Sequence, residues 1–228
     1  MPLATSTLSP TDYSQSADGF RCEQCGHEMA VPLFCDHCAT DYPERRGMGA
    51  FAILGLPQRW DLDEDALDAV ELRLATRLHP DRWTTRGDRA HKHALLAWSA
   101  VNVSLGALKD PFDRADTLLR ATDEWELLAD DKVALPQAFL LEQLDLQEEL
   151  EAPLTEERRS VLQRTVRHEL RELRRVLGGH FEVAESASHA GSAAGDARIT
   201  ALRAARAVVD KSRYWRNAQR TLRGDAPR

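Results

Sequence analysis

Two amphipathic stretches flank the tripeptide His79-Pro80-Asp81, and this arrangement constrains the fold more than any other part of the chain. Apolar side chains recur at helical spacing in the stretch before the tripeptide and again over about 89–109. Proline fixes its own φ and disfavours helical backbone in the residue before it, so the first helix must end at His79. The pattern predicts a short polar loop between two helices, the first of which buries Leu67, Val70, Leu74 and Leu78.

The order of helix, His-Pro-Asp and helix resembles the J-domain of J-protein co-chaperones, which stimulate the ATPase of a DnaK-type chaperone. Two arginines lie one helical turn apart in the first helix, and another directly follows the tripeptide. The resemblance implies that these arginines meet an acidic chaperone surface and that Asp81 engages an arginine there. A plain helix-loop-helix with solvated arginines is the alternative. The implied chaperone-binding residues are His79, Pro80, Asp81, Arg73, Arg77 and Arg82.

Two further segments narrow the resemblance to HscB-type co-chaperones. Residues 51–57 (Phe-Ala-Ile-Leu-Gly-Leu-Pro) and 60–63 (Trp-Asp-Leu-Asp) resemble the entry to the J-domain in that family. We expect Pro57 to end a short helix and Asp63 to cap the next one. Residues 135–150 are similar to the helix with which the family docks an iron-sulfur scaffold of the IscU type, and generic J-proteins lack that helix. The resemblance covers about residues 48–222.

The helix at 139–152 has two apolar faces when its residues are placed at 100° intervals. Phe139, Leu146 and Leu150 form one face, which we expect to join the core. Leucines with acidic neighbours form the opposite face, which predicts either a partner site or a second contact within the chain. By resemblance the scaffold-binding residues are Leu140, Leu141, Leu144, Asp145 and Glu148, whereas Ala152 and Val208 depart from the family pattern.

All four cysteines lie in two Cys-x-x-Cys pairs separated by nine residues, at Cys22, Cys25, Cys35 and Cys38. Each pair can bring two sulfurs together through a tight turn, and Gly26 suits the positive φ that such turns need. Four thiolates complete a tetrahedral Zn²⁺ site, so we predict structural zinc as the cofactor. A disulfide pair and an iron or iron-sulfur site are the alternatives. Some HscB-type proteins carry such a tetracysteine module ahead of the J-domain.

Composition limits the classes of function that remain. The chain has 228 residues, 43% of them hydrophobic, and a net charge of -7, so it has no overall attraction to nucleic acid. No apolar run approaches the roughly 18 residues of a membrane span. The first twenty residues contain no Lys or Arg, which argues against a signal or transit peptide and favours a cytoplasmic protein. The sequence offers no nucleophile-base pair or phosphate-binding glycine loop, so we do not expect an enzyme.

Prolines, glycines and polar stretches divide the sequence into four predicted segments. The fold is expected to be nearly all α. A long helix is expected over about 155–177, stopped or nearly stopped by Gly178-Gly179. A last helix is expected over about 196–222, after a flexible connection at 186–195. The predicted architecture is an N-terminal zinc-binding module, a J-domain helical hairpin and a C-terminal three-helix bundle. The expected bounds are 1–20 for a disordered leader, 21–43 for the module, 48–111 for the J-domain and 113–222 for the bundle.

The function that these features predict is that of a co-chaperone in iron-sulfur cluster assembly. The resemblance implies that it stimulates an HscA- or DnaK-type ATPase and delivers an IscU-type scaffold to it. A general J-domain co-chaperone is one alternative. A nucleic-acid-binding protein that uses the zinc module and the basic last helix is the other.

Overall fold

The computed structural model describes residues 20–130, 135–188 and 191–224, so nearly all of the predicted leader lies outside the described residues. The chain forms two compact units, Met1–Ala121 and Thr122–Arg228. Helices dominate both units, and within the described ranges β-structure is limited to isolated bridges in the cysteine module. The predicted fold class is confirmed, while the predicted domain bounds stay a prediction. No helix in these ranges is both long and apolar enough to span a membrane.

Over residues 20–121, the described part of the first unit, there are four α-helices and two 3₁₀-helices. The α-helices are α1 (Ala50–Leu54), α2 (Glu64–Leu78), α3 (Asp88–Lys109) and α4 (Pro111–Arg120), and the 3₁₀-helices span Pro43–Arg45 and Pro80–Arg86. The predicted cap of α2 is confirmed, because the Asp63 carboxylate accepts a hydrogen bond from Asp65 N at 3.1 Å. The predicted short helix is confirmed, and it ends at Gly55 of the Gly55-Leu56-Pro57 segment rather than at Pro57 itself. Gly55, at φ 67°, ends that helix two residues earlier because glycine adopts left-handed backbone without strain.

The α2–α3 hairpin is held by an apolar seam and by one lysine. All four predicted core residues of α2 are buried, as are Ala94 and Val101 of α3, and the two helices are in contact. At the far end of the hairpin from the loop, Lys109 Nζ lies 2.6 Å from Asp68 and 2.5 Å from Glu71. The hairpin therefore presents its loop, 79–87, from a rigid pair of helices.

Arg114 of α4 is an internal cation with three backbone partners. Its side chain is 2% exposed and donates to the carbonyl of Leu108 at 2.6 Å, of Trp60 at 3.0 Å and of Leu62 at 3.3 Å. These bonds tie α4 to the connection before α2. The charge is tolerated inside because buried carbonyl oxygens need donors that a guanidinium supplies in fixed directions.

The second unit contains α5 (Trp125–Asp130), α6 (Gln137–Glu151), α7 (Glu156–Ser188) and α8 (Gly191–Arg223). Contacts at both ends show that α7 and α8 run antiparallel: Arg159 donates to the carbonyl of Leu222 and Arg198 to that of Ala184. The apolar stripe of α6 packs on them. Its cluster contains Leu162, Val166, Ala218 and Leu222, with Leu146, Leu150, Leu154, Leu170 and Trp215 packed around it.

Two predictions about the ends of these long helices are wrong. Helix α7 continues through Gly178-Gly179 to Ser188, and α8 already starts at Gly191, so most of the expected flexible connection is helical. Phe181 and Ala184 are buried beyond the glycine pair. Each glycine costs about 1 kcal/mol in a helix, and burial of a phenylalanine side chain returns about 1.5–3 kcal/mol. Packing against α8 therefore overrides the local preference.

Candidate functional site

The tripeptide forms the junction between α2 and the 3₁₀-helix Pro80–Arg86. His79 is the C-cap residue of α2, and Pro80 is buried. The Asp81 side chain is 85% exposed. His79 Nδ1 accepts a hydrogen bond from Asp81 N at 3.4 Å and lies 3.5 Å from the Asp81 carboxylate. The Thr84 hydroxyl donates to the Asp81 carbonyl at 3.0 Å. The Asp81 carboxylate is thus exposed to solvent, while hydrogen bonds fix the backbone of the loop around it.

The three predicted arginines are placed differently from one another. Arg73 and Arg82 are exposed. Arg77 instead contacts the cysteine module: its Nε donates to Asp36 Oδ2 at 2.6 Å and its Nη2 to the carbonyl of Glu28 at 3.1 Å. The sequence analysis missed this pair, since nothing local to α2 indicates that Asp36 lies beside it.

The four cysteine sulfurs converge on one point. Cys22 Sγ lies 3.5 Å from Cys38 Sγ, and Cys25 Sγ lies 3.7 Å from Cys35 Sγ. The four sulfurs lie within 4.8 Å of one another, and none of them is bonded to another. A tetrahedral ion with bonds of about 2.3 Å to sulfur needs sulfur-sulfur edges of about 3.8 Å. The donor set and its spacing therefore fit a tetrahedral metal ion.

The two Cys-x-x-Cys pairs are built as equivalent turns. Gly26 N donates to the carbonyl of Cys22 at 2.8 Å, and Ala39 N donates to that of Cys35 at 2.9 Å. Both residues after the second cysteine adopt left-handed backbone, Gly26 with φ 70° and Ala39 with φ 64°. The expected role of Gly26 is confirmed. Ala39 gave no such signal in the sequence, because alanine rarely adopts this conformation.

A tyrosine that the sequence analysis missed supports the sulfur group from outside. The Tyr42 hydroxyl donates to Cys22 Sγ at 3.2 Å and accepts a bond from Glu23 N at 2.9 Å. Burial alone would raise the pKa of Cys22, but hydrogen bonds from Tyr42 and from backbone amides outweigh it and lower the pKa to about 5. Burial raises the pKa of Cys35 to about 12. Such outer partners orient the sulfur ligands of a metal site.

The second apolar face of α6 is open to solvent. Leu140, Leu141 and Leu144 are 39%, 54% and 53% exposed, and Asp145 and Glu148 beside them are exposed as well. The opposite face packs on the bundle through Leu146 and Leu150. Three exposed leucines within five residues, bordered by carboxylates, form a face that can take an apolar partner; we call residues 140, 141, 144, 145 and 148 the leucine face.

The last helix contributes an aromatic ring to α6, although not at the position considered in the sequence. Val208 is 7% exposed and belongs to the core of the bundle. Tyr214, 42% exposed, instead packs edge-on against Phe139 with ring centroids 5.6 Å apart. The sequence signal that could have indicated this contact was the tyrosine at position 214 in the last helix.

The chain is similar in sequence to known proteins. Residues 135–223 match the family model for the HSCB C-terminal oligomerisation domain. The chain is 32% identical over 146 residues to a protein of Cupriavidus taiwanensis named co-chaperone protein HscB homolog. That alignment covers 62% of this chain and 82% of the relative.

Two solved structures share the fold. Chaperone HscB from Vibrio cholerae superposes with a TM-score of 0.57 at 24% identity, over 78% of this chain and 96% of that one. Human co-chaperone protein HscB superposes with a TM-score of 0.65 at 18% identity, over 90% of this chain and 97% of that one. Sequence relatives, family model and fold agree, and the chain belongs to the HscB family of co-chaperones.

Proposed function

We propose that the chain is a co-chaperone of iron-sulfur cluster assembly that stimulates an HscA- or DnaK-type ATPase and delivers an IscU-type scaffold to it. The observation that carries the proposal is the solvent-exposed Asp81 carboxylate on a fixed loop between α2 and α3 of an HscB-family chain. Its action is to bind two proteins and to trigger the hydrolysis that one of them performs. It is not itself the enzyme.

The loop supports the ATPase half of the proposal by its chemistry. An exposed carboxylate engages an arginine of a partner through charge-assisted hydrogen bonds, which are about twice as strong as neutral ones. Because the backbone on both sides of Asp81 is held by His79 and Thr84, little conformational entropy is lost on binding. The exposed Arg73 and Arg82 add attraction to an acidic chaperone surface.

The leucine face supports the scaffold half. Exposed leucines supply apolar area to a protein interface, and Asp145 and Glu148 at its edge select partners that carry basic side chains. A general J-domain co-chaperone needs no such surface. Binding of an IscU-type scaffold therefore separates the specific proposal from the general one.

Zinc is the proposed occupant of the sulfur group. Zn²⁺ prefers four thiolates in tetrahedral geometry, and when bound it supplies structural stability rather than reactivity, since no position is open for a substrate. Cys22, Cys25, Cys35 and Cys38 would hold it, with Tyr42 orienting Cys22. Some apo modules of this size do not fold, because their apolar side chains are too few for a core.

The purified chain is expected to contain about one Zn²⁺ per molecule. Elemental analysis checks the metal, and reaction of fresh protein with a thiol reagent checks the ligands. Cys25→Ser should lose the zinc and unfold the module, while the helical signal in far-ultraviolet circular dichroism stays close to that of the parent.

His27→Ala is the matched control for that measurement. His27 is exposed and forms a second close group of possible ligands with Cys25 and His37, but the four thiolates complete a tetrahedral site without it. The variant should retain about one zinc. Freshly purified parent protein with no zinc and four reactive thiols would show the assignment to be wrong, and iron in its place would favour the cluster alternative.

The proposed function is tested by the steady-state ATPase rate of a purified HscA- or DnaK-type chaperone. Adding the full chain should raise the rate severalfold, and adding an IscU-type scaffold as well should raise it further, because the chain brings scaffold and chaperone together. An ATPase rate that rises with the chain but does not rise further with the scaffold would favour a general J-protein. No stimulation with either chaperone type would contradict the proposal. The proposed location is the cytoplasm, where both partners of this class would meet the chain.

A further inference from the structure

The cysteine module packs directly against the segment that carries the tripeptide. Phe34 is 0% exposed and Trp83 is 2% exposed, and their rings meet edge to face with centroids 4.7 Å apart. Trp83 lies two residues after Asp81 in the 3₁₀-helix. One side of the loop is therefore anchored in an apolar contact with the module.

The other side of the loop is anchored by charge. Arg77 lies two residues before His79 and donates to Asp36 at 2.6 Å. The Asp36 side chain is only 12% exposed, and its second oxygen accepts from Ala30 N at 3.2 Å. The Arg77 side chain is 36% exposed, so the ion pair is partly buried; salt screens it less than a surface pair, and the further hydrogen bond positions it.

A third contact crosses from the same part of the module to the end of the 3₁₀-helix. Arg86 Nη1 donates to the carbonyl of His37 at 3.4 Å, and its guanidinium lies 4.8 Å from the centre of the Trp83 ring. Phe34, Asp36 and His37 all belong to, or directly precede, the second cysteine turn, Cys35–Cys38. The turn that contributes two sulfurs to the metal group thus also contributes Asp36 and His37 to these contacts, and Phe34 directly precedes it, while the Glu28 carbonyl in the first half of the module accepts a further bond from Arg77.

We propose that Asp36 and Phe34 are positioning residues for the His79–Asp81 loop, and that metal in the four-cysteine group sets the loop conformation through them. The apolar cluster of the module consists of Cys22, Met29, Cys35 and Tyr42, with Phe20 and Cys25 packed against it. Three of these residues are sulfur ligands, so the cluster depends on the ion that joins them. Without the ion, the second turn loses its shape and releases Trp83 and Arg77. This inference rests on the proposed function only where it concerns the ATPase.

The test compares Asp36→Ala with a matched control, Asp41→Ala, in the full chain. Asp41 lies in the same module, is 13% exposed and pairs with Arg46 at 2.6 Å, but none of its described contacts reaches the loop segment. Both variants should keep about one zinc per chain. Asp36→Ala should lower maximal ATPase stimulation at saturating protein by about fivefold or more, the usual size of coupling between sites. Asp41→Ala should stay close to the parent.

A second measurement follows the loop without the chaperone. Amide hydrogen exchange at residues 79–86 should quicken in Asp36→Ala and in parent protein stripped of metal by a chelator, while exchange in α6 stays unchanged. Unchanged exchange at 79–86 in both samples would overturn the inference even if the parent stimulates the ATPase. If the parent fails to stimulate any chaperone but the exchange quickens, the proposed function fails and the coupling stands. Equal change in Asp36→Ala and Asp41→Ala would mean that the module acts only as a whole, which also overturns it.

Discussion

Asp81→Asn is expected to abolish stimulation of the chaperone ATPase while leaving the folded structure intact. Asparagine has the shape of aspartate but no charge, so the variant removes the proposed ion pair and little else. The Asp81 side chain is 85% exposed, and surface substitutions of this kind change the free energy of unfolding by less than about 0.5 kcal/mol. ATPase rates measured over a range of co-chaperone concentrations, with thermal unfolding in parallel, check both statements.

Asp88→Asn provides the control for this variant. Asp88 is an exposed carboxylate in the first turn of α3, directly after the loop and outside the tripeptide. Loss of this charge at a helix start should lower the free energy of unfolding by about 0.3–1 kcal/mol. It should leave ATPase stimulation unchanged. If Asp81→Asn stimulates as well as the parent, the loop is not the trigger.

Replacing Leu140, Leu141 and Leu144 together by alanine should remove scaffold binding. Each well-packed leucine anchor contributes roughly 1–3 kcal/mol to an interface, so the triple variant should bind at least about 100-fold more weakly. Folding should survive, because side chains that are 39–54% exposed leave no cavity when they are shortened. Calorimetric titration with an IscU-type scaffold measures the affinity, and ATPase stimulation without scaffold should stay at the parent level.

Val176→Ala with Val183→Ala is the corresponding control on another helix. Both valines are exposed on α7, at 37% and 51%, and neither belongs to the leucine face. This double variant should bind the scaffold as the parent does. Parent-like binding by the triple leucine variant would disprove the docking surface. A large loss of its thermal stability would instead show that the leucines stabilise the fold.

Local patterns in the sequence predicted the features that depend on neighbouring residues. The period of Leu67, Val70, Leu74 and Leu78 identified the buried face of α2, and Asp63 was recognised as its cap. The spacing of the cysteines identified a group whose sulfurs do converge. Helical periodicity also separated the exposed leucines of α6 from Leu146 and Leu150. In each case the relevant residues lie within 16 positions of one another, the largest separation being that of Cys22 and Cys38.

Contacts between distant residues explain what the sequence did not reveal. Arg77 and Asp36 are 41 residues apart, and nothing near either residue indicates the other. The sequence pattern places Arg114 on the polar face of an amphipathic helix. Its side chain is nevertheless buried, and it bonds the carbonyls of Trp60 and Leu62, more than fifty residues earlier. Gly178-Gly179 has the local signature of a helix end. Tertiary packing overrides it, and packing is invisible to a local pattern.

The antiparallel pairing of α7 and α8 has a consequence for how fast each unit folds. The two helices have 33 residues each, about 50 Å in length. Their contacts start close to the connection, where Arg198 meets Ala184 only 14 residues away, and can form outward from there in sequence order. The first unit must instead close links of 41 and 54 residues, from Arg77 to Asp36 and from Arg114 to Trp60. Since chains with local contacts cross their folding barrier sooner, refolding should complete the α7–α8 pair first and the loop-bearing unit later.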